Sequence, residues 1–295
     1  MALNLKTLTT RALTAVVFVA VLLSCILFSY VSFAALFFLV SVWGLYEFYQ
    51  LAEKLGARPY KAIGLLAGAL LISYAILQNS YSAVTMHAQW LLPVVFVVMF
   101  LIFIVGLLDK HSNTVLNIAY TLMGLIYAVV PFMFLLFISC IQTDHFTFTP
   151  LNDVPWYDQL APYNFHYVLG IILLIWASDT GAYLVGSLIG KNKLYERISP
   201  GKTWEGSVGA ALLNIGCAYI ISTWFPELAL RHWIVISILV SIFGTIGDLV
   251  ESMLKRQAGV KDSGKIMPGH GGILDRFDSL LFVSPFIYAY LKLSL

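Results

Sequence analysis

Charge is the scarcest property of this sequence. Only 11% of its 295 residues are charged, whereas 60% are hydrophobic, and the mean hydropathy is +0.87. A water-soluble domain has about 25% charged residues, and it cannot hide such a large share of apolar side chains because much of its surface stays wet. The composition therefore excludes a soluble globular protein and makes lipid the solvent for most of the chain.

Cysteine is scarce as well. Cys25, Cys140 and Cys217 all lie in apolar runs, and none of them belongs to a C-x-x-C pair. This pattern indicates small buried hydrophobic residues rather than a disulfide framework or a cysteine-ligated metal. The net charge is only +2, which gives no sign of a polyanionic partner, and we expect no nucleic acid to bind.

Long apolar runs dominate what is present. A transmembrane helix needs about 20 mostly apolar residues, and such runs predict an all-α polytopic membrane protein, a bundle of about nine transmembrane helices. The predicted spans cover residues 11–28, 31–51, 61–77, 90–108, 114–141, 166–188, 204–225, 233–252 and 272–293. The first two form a hairpin with a very short turn at residues 29–32, and we expect Pro131 to kink the fifth span.

The basic residues predict which way the chain crosses the membrane, because cytoplasmic loops are enriched in Lys and Arg. When the N-terminus is placed inside and nine spans alternate, all 17 basic residues except Arg231, Arg276 and Lys292 fall on the inner side. The longest outer loop carries acidic residues but neither Lys nor Arg. We therefore predict a cytoplasmic N-terminus and an extracytoplasmic C-terminus, since an eight-span chain would spoil this pattern.

The two halves of the chain differ in their ionisable residues. Spans 1–5 contain almost none apart from Glu47 near a membrane boundary, whereas the later spans contain several acids. Charges in hydrocarbon are costly and usually face a site or a cavity. We therefore predict a membrane scaffold at residues 1–141, an extracytoplasmic loop at 142–165, and a catalytic membrane region at 166–295 with cytoplasmic loops at 189–203 and 253–271.

Four of these acids form two pairs with helical spacing. Asp248 and Glu251 are three residues apart in the eighth span, and Asp275 and Asp278 are three residues apart at the start of the ninth. Residues at i and i+3 share one face of a helix, so two helices can present four carboxylates to one another. Such oxygen ligands suit Mg²⁺. The alternative is that each acid neutralises a nearby Lys or Arg.

The loop between these two pairs is rich in glycine and in cations. Its basic or titratable members are Lys255, Arg256, Lys261, Lys265 and His270. Glycine lets the backbone approach a phosphate closely, and Lys and Arg supply the counter-charge. An ordinary positively charged inner loop would explain the basic residues alone, but it would not explain the run from Pro268 to Gly272, which leads directly into Asp275.

A second loop, at residues 199–206, contains Gly201-Lys202-Thr203 and so resembles the end of a P-loop. The first glycine of that motif is missing at position 196 and no strand is expected before it, so we reject a P-loop. Ser199 as the N-cap and Pro200 as the first helical residue would start a helix well, and a helix N-terminus beside Lys202 also suits a phosphate. Asp179, in the sixth span, is either a satisfied packing group or a residue of the polar site, and we favour the site.

Residues 252–278 resemble the CDP-diacylglycerol synthase family, also called phosphatidate cytidylyltransferase. The matching pattern is Ser252-x-Leu254-Lys255-Arg256, four residues, Lys261-Asp262-x-Gly264, and then Pro268-x-His270-Gly271-Gly272-Ile273-x-Asp275-Arg276-Phe277-Asp278. Met267 departs from the Leu, Ile or Phe that is more common there. Further support comes from residues 178–183, 199–206 and 247–248, whereas the first 140 or so residues resemble the family only in hydropathy.

The resemblance implies an enzyme that joins CTP and phosphatidic acid into CDP-diacylglycerol and pyrophosphate. It also implies a homodimer in the bacterial cytoplasmic (inner) membrane, with the site facing the cytoplasm. Mg²⁺ would lie on Asp248 and Asp275, with a monovalent cation such as K⁺ nearby. Glu251 and Asp278 are further candidate metal ligands.

The remaining candidate residues divide into two groups. The catalytic candidates, besides Asp248, Asp275 and Asp278, are Lys255, Arg256 and His270. The substrate-binding candidates are Asp179, Ser199, Lys202, Thr203, Ser252, Lys261, Lys265, Gly271, Gly272 and Arg276. Two other functions stay open at this point: another CTP-dependent lipid enzyme such as a polyprenol kinase, and a cation-coupled transporter with intramembrane carboxylates.

Overall fold

The computed structural model describes residues 5–79, 89–110, 113–142, 163–267, 269 and 271–295, with the backbone alone for residues 5–11. Its long helices are α1 (Leu5–Phe28), α2 (Tyr30–Lys54), α3 (Lys61–Gln78), α4 (Leu91–Leu108), α5 (Thr114–Ile138), α6 (Phe165–Ile189), α7 (Trp204–Trp224), α8 (Leu230–Gln257) and α9 (Leu274–Ser294). Each of these helices coincides with one predicted span. The all-α membrane fold is therefore confirmed.

Seven of these helices, α2 to α8, are long and apolar enough to cross a membrane. The other two helices do not meet this criterion of length and hydropathy. The apolar stretch of α1 is shorter, at Ala12–Phe28, and α9 carries charged residues in its first turns. The side of the membrane on which each end of the chain lies stays a prediction.

Three details differ from the predicted boundaries. Helix α8 continues to Gln257, so the loop that follows it begins later than residue 253. The loop at 189–203 contains a small antiparallel hairpin of β1 (Lys193–Tyr195) and β2 (Ser199–Thr203). A strand therefore does precede Gly201, although it belongs to a two-stranded hairpin and not to a P-loop sheet.

The tight turn between α1 and α2 is built by two serines. The backbone N–H of Ser32 donates to Ser29 Oγ at 3.2 Å, and the N–H of Ser29 donates to Ser32 Oγ at 3.1 Å. This reciprocal capping satisfies two donors at the start of α2 that have no partner within the helix. The short turn predicted at residues 29–32 is confirmed.

Two helices contain one turn of π-helix, at Leu125–Val129 in α5 and at Val240–Gly244 in α8. The first ends two residues before Pro131, which cannot donate the usual backbone hydrogen bond. The kink predicted at Pro131 stays a prediction, and the structure shows a π turn just before it. Such turns often mark functional sites, and the second one leads directly into the acidic face of α8.

An aromatic cluster holds the start of α9 in the core. Phe277 is 4% exposed, and its ring contacts Phe18 of α1, Phe37 of α2 and Phe132 of α5, with centroid distances of 5.8, 5.9 and 5.6 Å. Edge-on aromatic pairs at such distances stabilise a core beyond their buried area. Phe277 thereby fixes the position of the two aspartates that flank it in sequence.

Close packing of α6 against α8 requires a glycine. Trp233 is completely buried, and a Cβ added at Gly170 would lie 2.6 Å from its Cζ3 atom. No atom lies within 4 Å of a Cβ added at Gly216 in α7. The two helical glycines thus differ mainly in the space beside them.

Gly170→Ala should destabilise the fold by about 1–3 kcal/mol, because the new methyl group overpacks the Trp233 contact. Gly216→Ala should be neutral or stabilising by about 1 kcal/mol or less, since alanine is the better helix former. Thermal unfolding of both variants in detergent checks this. Equal midpoints for the two would contradict the packing described here.

Candidate active site

The acids of α8 and α9 meet near the ends of their helices. Asp248, Glu251 and Asp278 each offer a carboxylate oxygen, and these oxygens lie within 4.8 Å of one another. Glu251 is 1% exposed, and its Oε1 atom has no hydrogen-bond partner among the described residues. We call these three residues the acid cluster. Their helical spacing brings them together as the sequence predicted.

Asp275 lies outside the acid cluster and has a different environment. Its Oδ1 accepts a hydrogen bond from Lys255 Nζ at 2.6 Å. Its Oδ2 faces the backbone N–H and the hydroxyl of Ser263, at 2.8 and 2.9 Å, and the N–H of Gly272 at 2.7 Å. This carboxylate therefore ties the loop back to α9, and its predicted role as a metal ligand stays a prediction.

Lys255 connects the acid cluster to Asp275. Its Nζ lies 2.5 Å from Glu251 Oε2 and 2.6 Å from Asp275 Oδ1, and its side chain is 13% exposed. Buried charges are stable only when they are paired and hydrogen-bonded. The ammonium group has three N–H donors, and these two contacts leave one for a ligand.

Lys202 joins the hairpin to the acid cluster. Its Nζ lies 2.5 Å from Asp248 Oδ2 and donates to the carbonyl of Thr245 at 3.4 Å. The hydroxyl of Ser252 donates to Asp248 Oδ1 at 3.2 Å. The structure thus brings the second loop of the sequence analysis, through Lys202, against the acidic face of α8.

The predicted helix start at Ser199 and Pro200 is wrong. Both residues lie in β2, where Ser199 pairs with Tyr195, and α7 begins at Trp204 with Thr203 as its N-cap. The N–H of Gly206 donates to Thr203 Oγ1 at 3.2 Å. Either hydroxyl residue suits a cap by sequence, but pairing with β1 keeps Ser199 extended.

A cavity of about 360 Å³ opens beside the acid cluster. Its polar wall includes Asp179, Asp248, Asp275, Arg276 and Asp278, and its apolar wall includes residues of α1 and α6. The placement of Asp179 at the polar site is as the sequence analysis favoured. We call this the acidic cavity.

Carboxyl groups outnumber cationic groups in and around the acidic cavity. Among the described residues its acids are Asp179, Asp248, Glu251, Asp275 and Asp278, and its cations are Lys202, Lys255 and Arg276. Two of the five carboxyl groups therefore have no cationic group to pair with among these residues. Such groups in a membrane protein are either protonated or matched by a bound cation.

A second cavity, of about 600 Å³, lies between α2 and the loop after α8. It is lined by Lys54, Lys261 and Lys265, together with the aromatic Trp43 and Tyr46. We call it the basic cavity. The predicted phosphate-binding residues Lys261 and Lys265 therefore face α2 and do not line the acidic cavity.

The remaining predicted residues of the loop are Arg256, Gly271 and His270. Arg256 is exposed and lines neither cavity. Gly271 has φ +85°, in the region that favours glycine, and its carbonyl accepts from the N–H of Met267 at 3.1 Å. His270 lies outside the described residues.

Two residues of the predicted scaffold reach the site and were not found by sequence reasoning. Glu47 of α2 accepts hydrogen bonds from Ser263 Oγ at 3.2 Å and from the N–H of Leu274 at 3.1 Å. Tyr127 lies in the π turn of α5 and is buried, with its hydroxyl unpartnered among the described residues, and its electrostatic neighbours are the acids of α8 and α9. Glu47 could have been found from the sequence, because it is an isolated acid in an apolar stretch. Nothing in the sequence distinguishes Tyr127 from the other tyrosines.

The profile of the cytidylyltransferase family matches residues 9–294. The chain belongs to the cytidylyltransferase family. This confirms the family predicted from residues 252–278, and it extends the match to the N-terminal helices, where the sequence resembled the family only in hydropathy.

Curated relatives carry a more specific name. This family member is 40% identical over 182 residues to the proteins named phosphatidate cytidylyltransferase of Staphylococcus haemolyticus and Staphylococcus saprophyticus, an alignment of 61% of this chain and 61% of each relative. It is 37% identical over 193 residues to the Staphylococcus aureus protein of the same name, 64% of each chain. The alignments thus span less than two thirds of these relatives.

Thr203→Val should lower the free energy of unfolding by about 1 kcal/mol, because the cap of α7 loses its acceptor. Thr223→Val is the matched control, since Thr223 is exposed near the other end of α7 and its hydroxyl donates only to the carbonyl of Ile220. Thermal unfolding in detergent measures the difference. An unchanged midpoint with weakened substrate binding would instead support the predicted substrate role of Thr203.

Proposed function

We propose that this protein is a phosphatidate cytidylyltransferase, which joins CTP and phosphatidic acid into CDP-diacylglycerol and pyrophosphate. The observation that carries the proposal is the acid cluster at a cavity with one polar and one apolar wall, with Lys202 and Lys255 in contact with its acids. Such a site suits a lipid phosphate and a nucleotide triphosphate together. The name of the curated relatives supports the same reaction.

The residues present fit a divalent metal ion. The acid cluster offers three carboxylates, the buried Oε1 of Glu251 has no partner among the described residues, and the surrounding carboxyl groups outnumber the cationic groups. Hard oxygen donors of this kind suit Mg²⁺. Asp248, Glu251 and Asp278 would hold it, and the family resemblance adds Asp275 and a monovalent cation such as K⁺. When bound, Mg²⁺ would neutralise charge on the phosphates.

The reaction needs positioning more than proton transfer. An oxygen of the lipid phosphate attacks the α-phosphorus of CTP, the new P–O bond forms, and the bond to the β-phosphate oxygen breaks with pyrophosphate as the leaving group. Because the nucleophile is already an anion, no strong general base is required. Arg276 in the acidic cavity and Lys202 beside it would hold phosphate oxygens.

The two cavities suit the two substrates. The acidic cavity has an apolar wall that includes Phe18 and Leu22 of α1, which suits the acyl chains of a lipid whose phosphate points to Arg276. The basic cavity has three lysines, which suit the outer phosphates of a triphosphate, while the α-phosphorus must lie against the lipid phosphate in the acidic cavity. The segment with the specific family pattern contributes lining residues to both cavities.

The charge asymmetry of the loops supports an active site on the cytoplasmic face of a bacterial inner membrane. The hairpin with Lys202 and the loop after α8 hold many of the basic residues, and such loops remain inside. CTP is a soluble cytoplasmic compound, so a site at this face gives access to both substrates. A homodimer, implied by the family resemblance, is part of the same proposal.

Asp248→Asn should lower the formation of CDP-diacylglycerol about 100-fold or more, because the acid cluster loses a charged ligand. The measurement follows the release of pyrophosphate from CTP by purified protein, with and without phosphatidic acid and Mg²⁺. Glu53→Gln is the control, since Glu53 is an exposed acid paired with Lys61 at 2.7 Å. Formation of CDP and a polyprenyl phosphate, without pyrophosphate, would point to the related lipid kinases, and no turnover of CTP with either lipid would leave a transporter.

Lys202→Met should raise the KM for one substrate about tenfold or more, because a cation that contacts the acid cluster is lost. Lys202→Arg should recover part of this loss. Lys191→Met in the same loop is the matched control, because its backbone N–H, and not its ammonium group, contacts Glu205. Steady-state kinetics with each substrate varied decide the matter, and unchanged KM values would exclude a binding role for Lys202.

A further inference from the structure

Glu47 is a buried acid at the junction of the two halves of the chain. It lies in α2 and is 2% exposed. Its Oε2 atom accepts from the backbone N–H of Leu274, the first residue of α9, at 3.1 Å. The N-terminus of α9 has no side-chain cap of its own, and a carboxylate there is stabilised by the free N–H groups and by the helix dipole. Glu47 therefore caps α9 from another helix.

The same carboxylate reaches Asp275 through one hydroxyl group. Ser263 Oγ lies 3.2 Å from Glu47 Oε2 and 2.9 Å from Asp275 Oδ2. A hydroxyl has one proton, so it donates to one of these oxygens at a time and stays between them. Ser263 is itself 2% exposed, so water does not compete for this position.

Two glycines of the loop leave room for this carboxylate. A Cβ added at Gly264 would lie 2.6 Å from Glu47 Cδ, and a Cβ added at Gly272 would press on Glu47 Oε2. The loop backbone thus closes tightly around the side chain. This accounts for glycine at two positions that have ordinary φ values and are not required by a turn.

The contacts continue from Asp275 to the acid cluster. Asp275 holds Lys255 at 2.6 Å, and Lys255 holds Glu251 at 2.5 Å. Glu47 is therefore the outermost member of a connected series of hydrogen bonds and ion pairs that ends at a proposed metal ligand. Groups that orient ligands in this way affect metal affinity or activity about 10–100-fold when they are removed.

We infer that Glu47 is a positioning residue for the active site. It holds Ser263 and the start of α9 in place, and through them it sets the orientation of Asp275, Lys255 and the acid cluster. The activity it supports is the one proposed above, whereas its hold on the loop does not depend on that proposal.

The kinetic test compares Glu47→Ala, Ser263→Ala and the double variant. Each single variant should lower kcat about tenfold or more and raise the Mg²⁺ concentration for half-maximal activity, and the double variant should be little worse than the stronger single one. Glu47→Gln keeps one carbonyl oxygen and should recover part of the activity. Glu53→Ala, a change of the same type in α2, is the control.

Two results would overturn the inference. One is a Glu47→Ala protein whose kcat and Mg²⁺ dependence equal those of the control. The other is a double variant in which the losses multiply, because independent residues would then be involved. If Glu47→Ala does not fold, Ser263→Ala and Glu47→Gln decide the same question at a normal thermal midpoint.

A protease test separates this inference from the proposed function. Trypsin cleaves after Lys261 and Lys265, which flank the segment held by Glu47. Cleavage in detergent should be faster in Glu47→Ala and Ser263→Ala than in Glu53→Ala, whether or not the protein turns over CTP. Faster cleavage without turnover in the unmodified protein would reject the function and keep the positioning role, whereas equal cleavage rates would reject the positioning role.

Discussion

The Lys255 ammonium group, held between Glu251 and Asp275, is the interaction on which the rest of the site depends. Both acids are almost fully buried, and a buried carboxylate without a partner would be strongly destabilising. One cation on α8 therefore makes it possible for two helices to bring their acids together. Asp275 also accepts hydrogen bonds from the loop backbone. The contact between Lys255 and Asp275 therefore also sets the position of the loop after α8.

Much of the fold could be predicted from the sequence because the bilayer imposes strict lengths and polarity. Helices with about 20 apolar residues are visible without any tertiary information, and all the predicted spans coincide with helices of the described chain. The i, i+3 spacing also predicted that Asp248 and Glu251 share a face. These features depend on residues that are near one another in sequence.

The errors and omissions concern contacts between distant residues. Ser199 satisfies the local rule for an N-cap, but its pairing with Tyr195 excludes it from that role. The contact between Glu47 and Leu274 joins residues 227 positions apart, which no local pattern reveals. The spacing also could not show which acid of a pair finds its hydrogen-bond donors within the protein. This depends on how the loop folds over Asp275.

The contrast between Asp275 and Glu251 is the strongest physical argument for a cation at this site. The fold gives Asp275 four hydrogen-bond donors, yet it leaves one buried oxygen of Glu251 unpartnered among the described residues, beside two further carboxylates. Keeping Glu251 here is costly to the fold, because its buried Oε1 has lost contact with water and has gained no donor from the described part of the chain. The cost of keeping it is offset if a cation completes the cluster, and Asp275 then serves to hold the neighbouring groups in place.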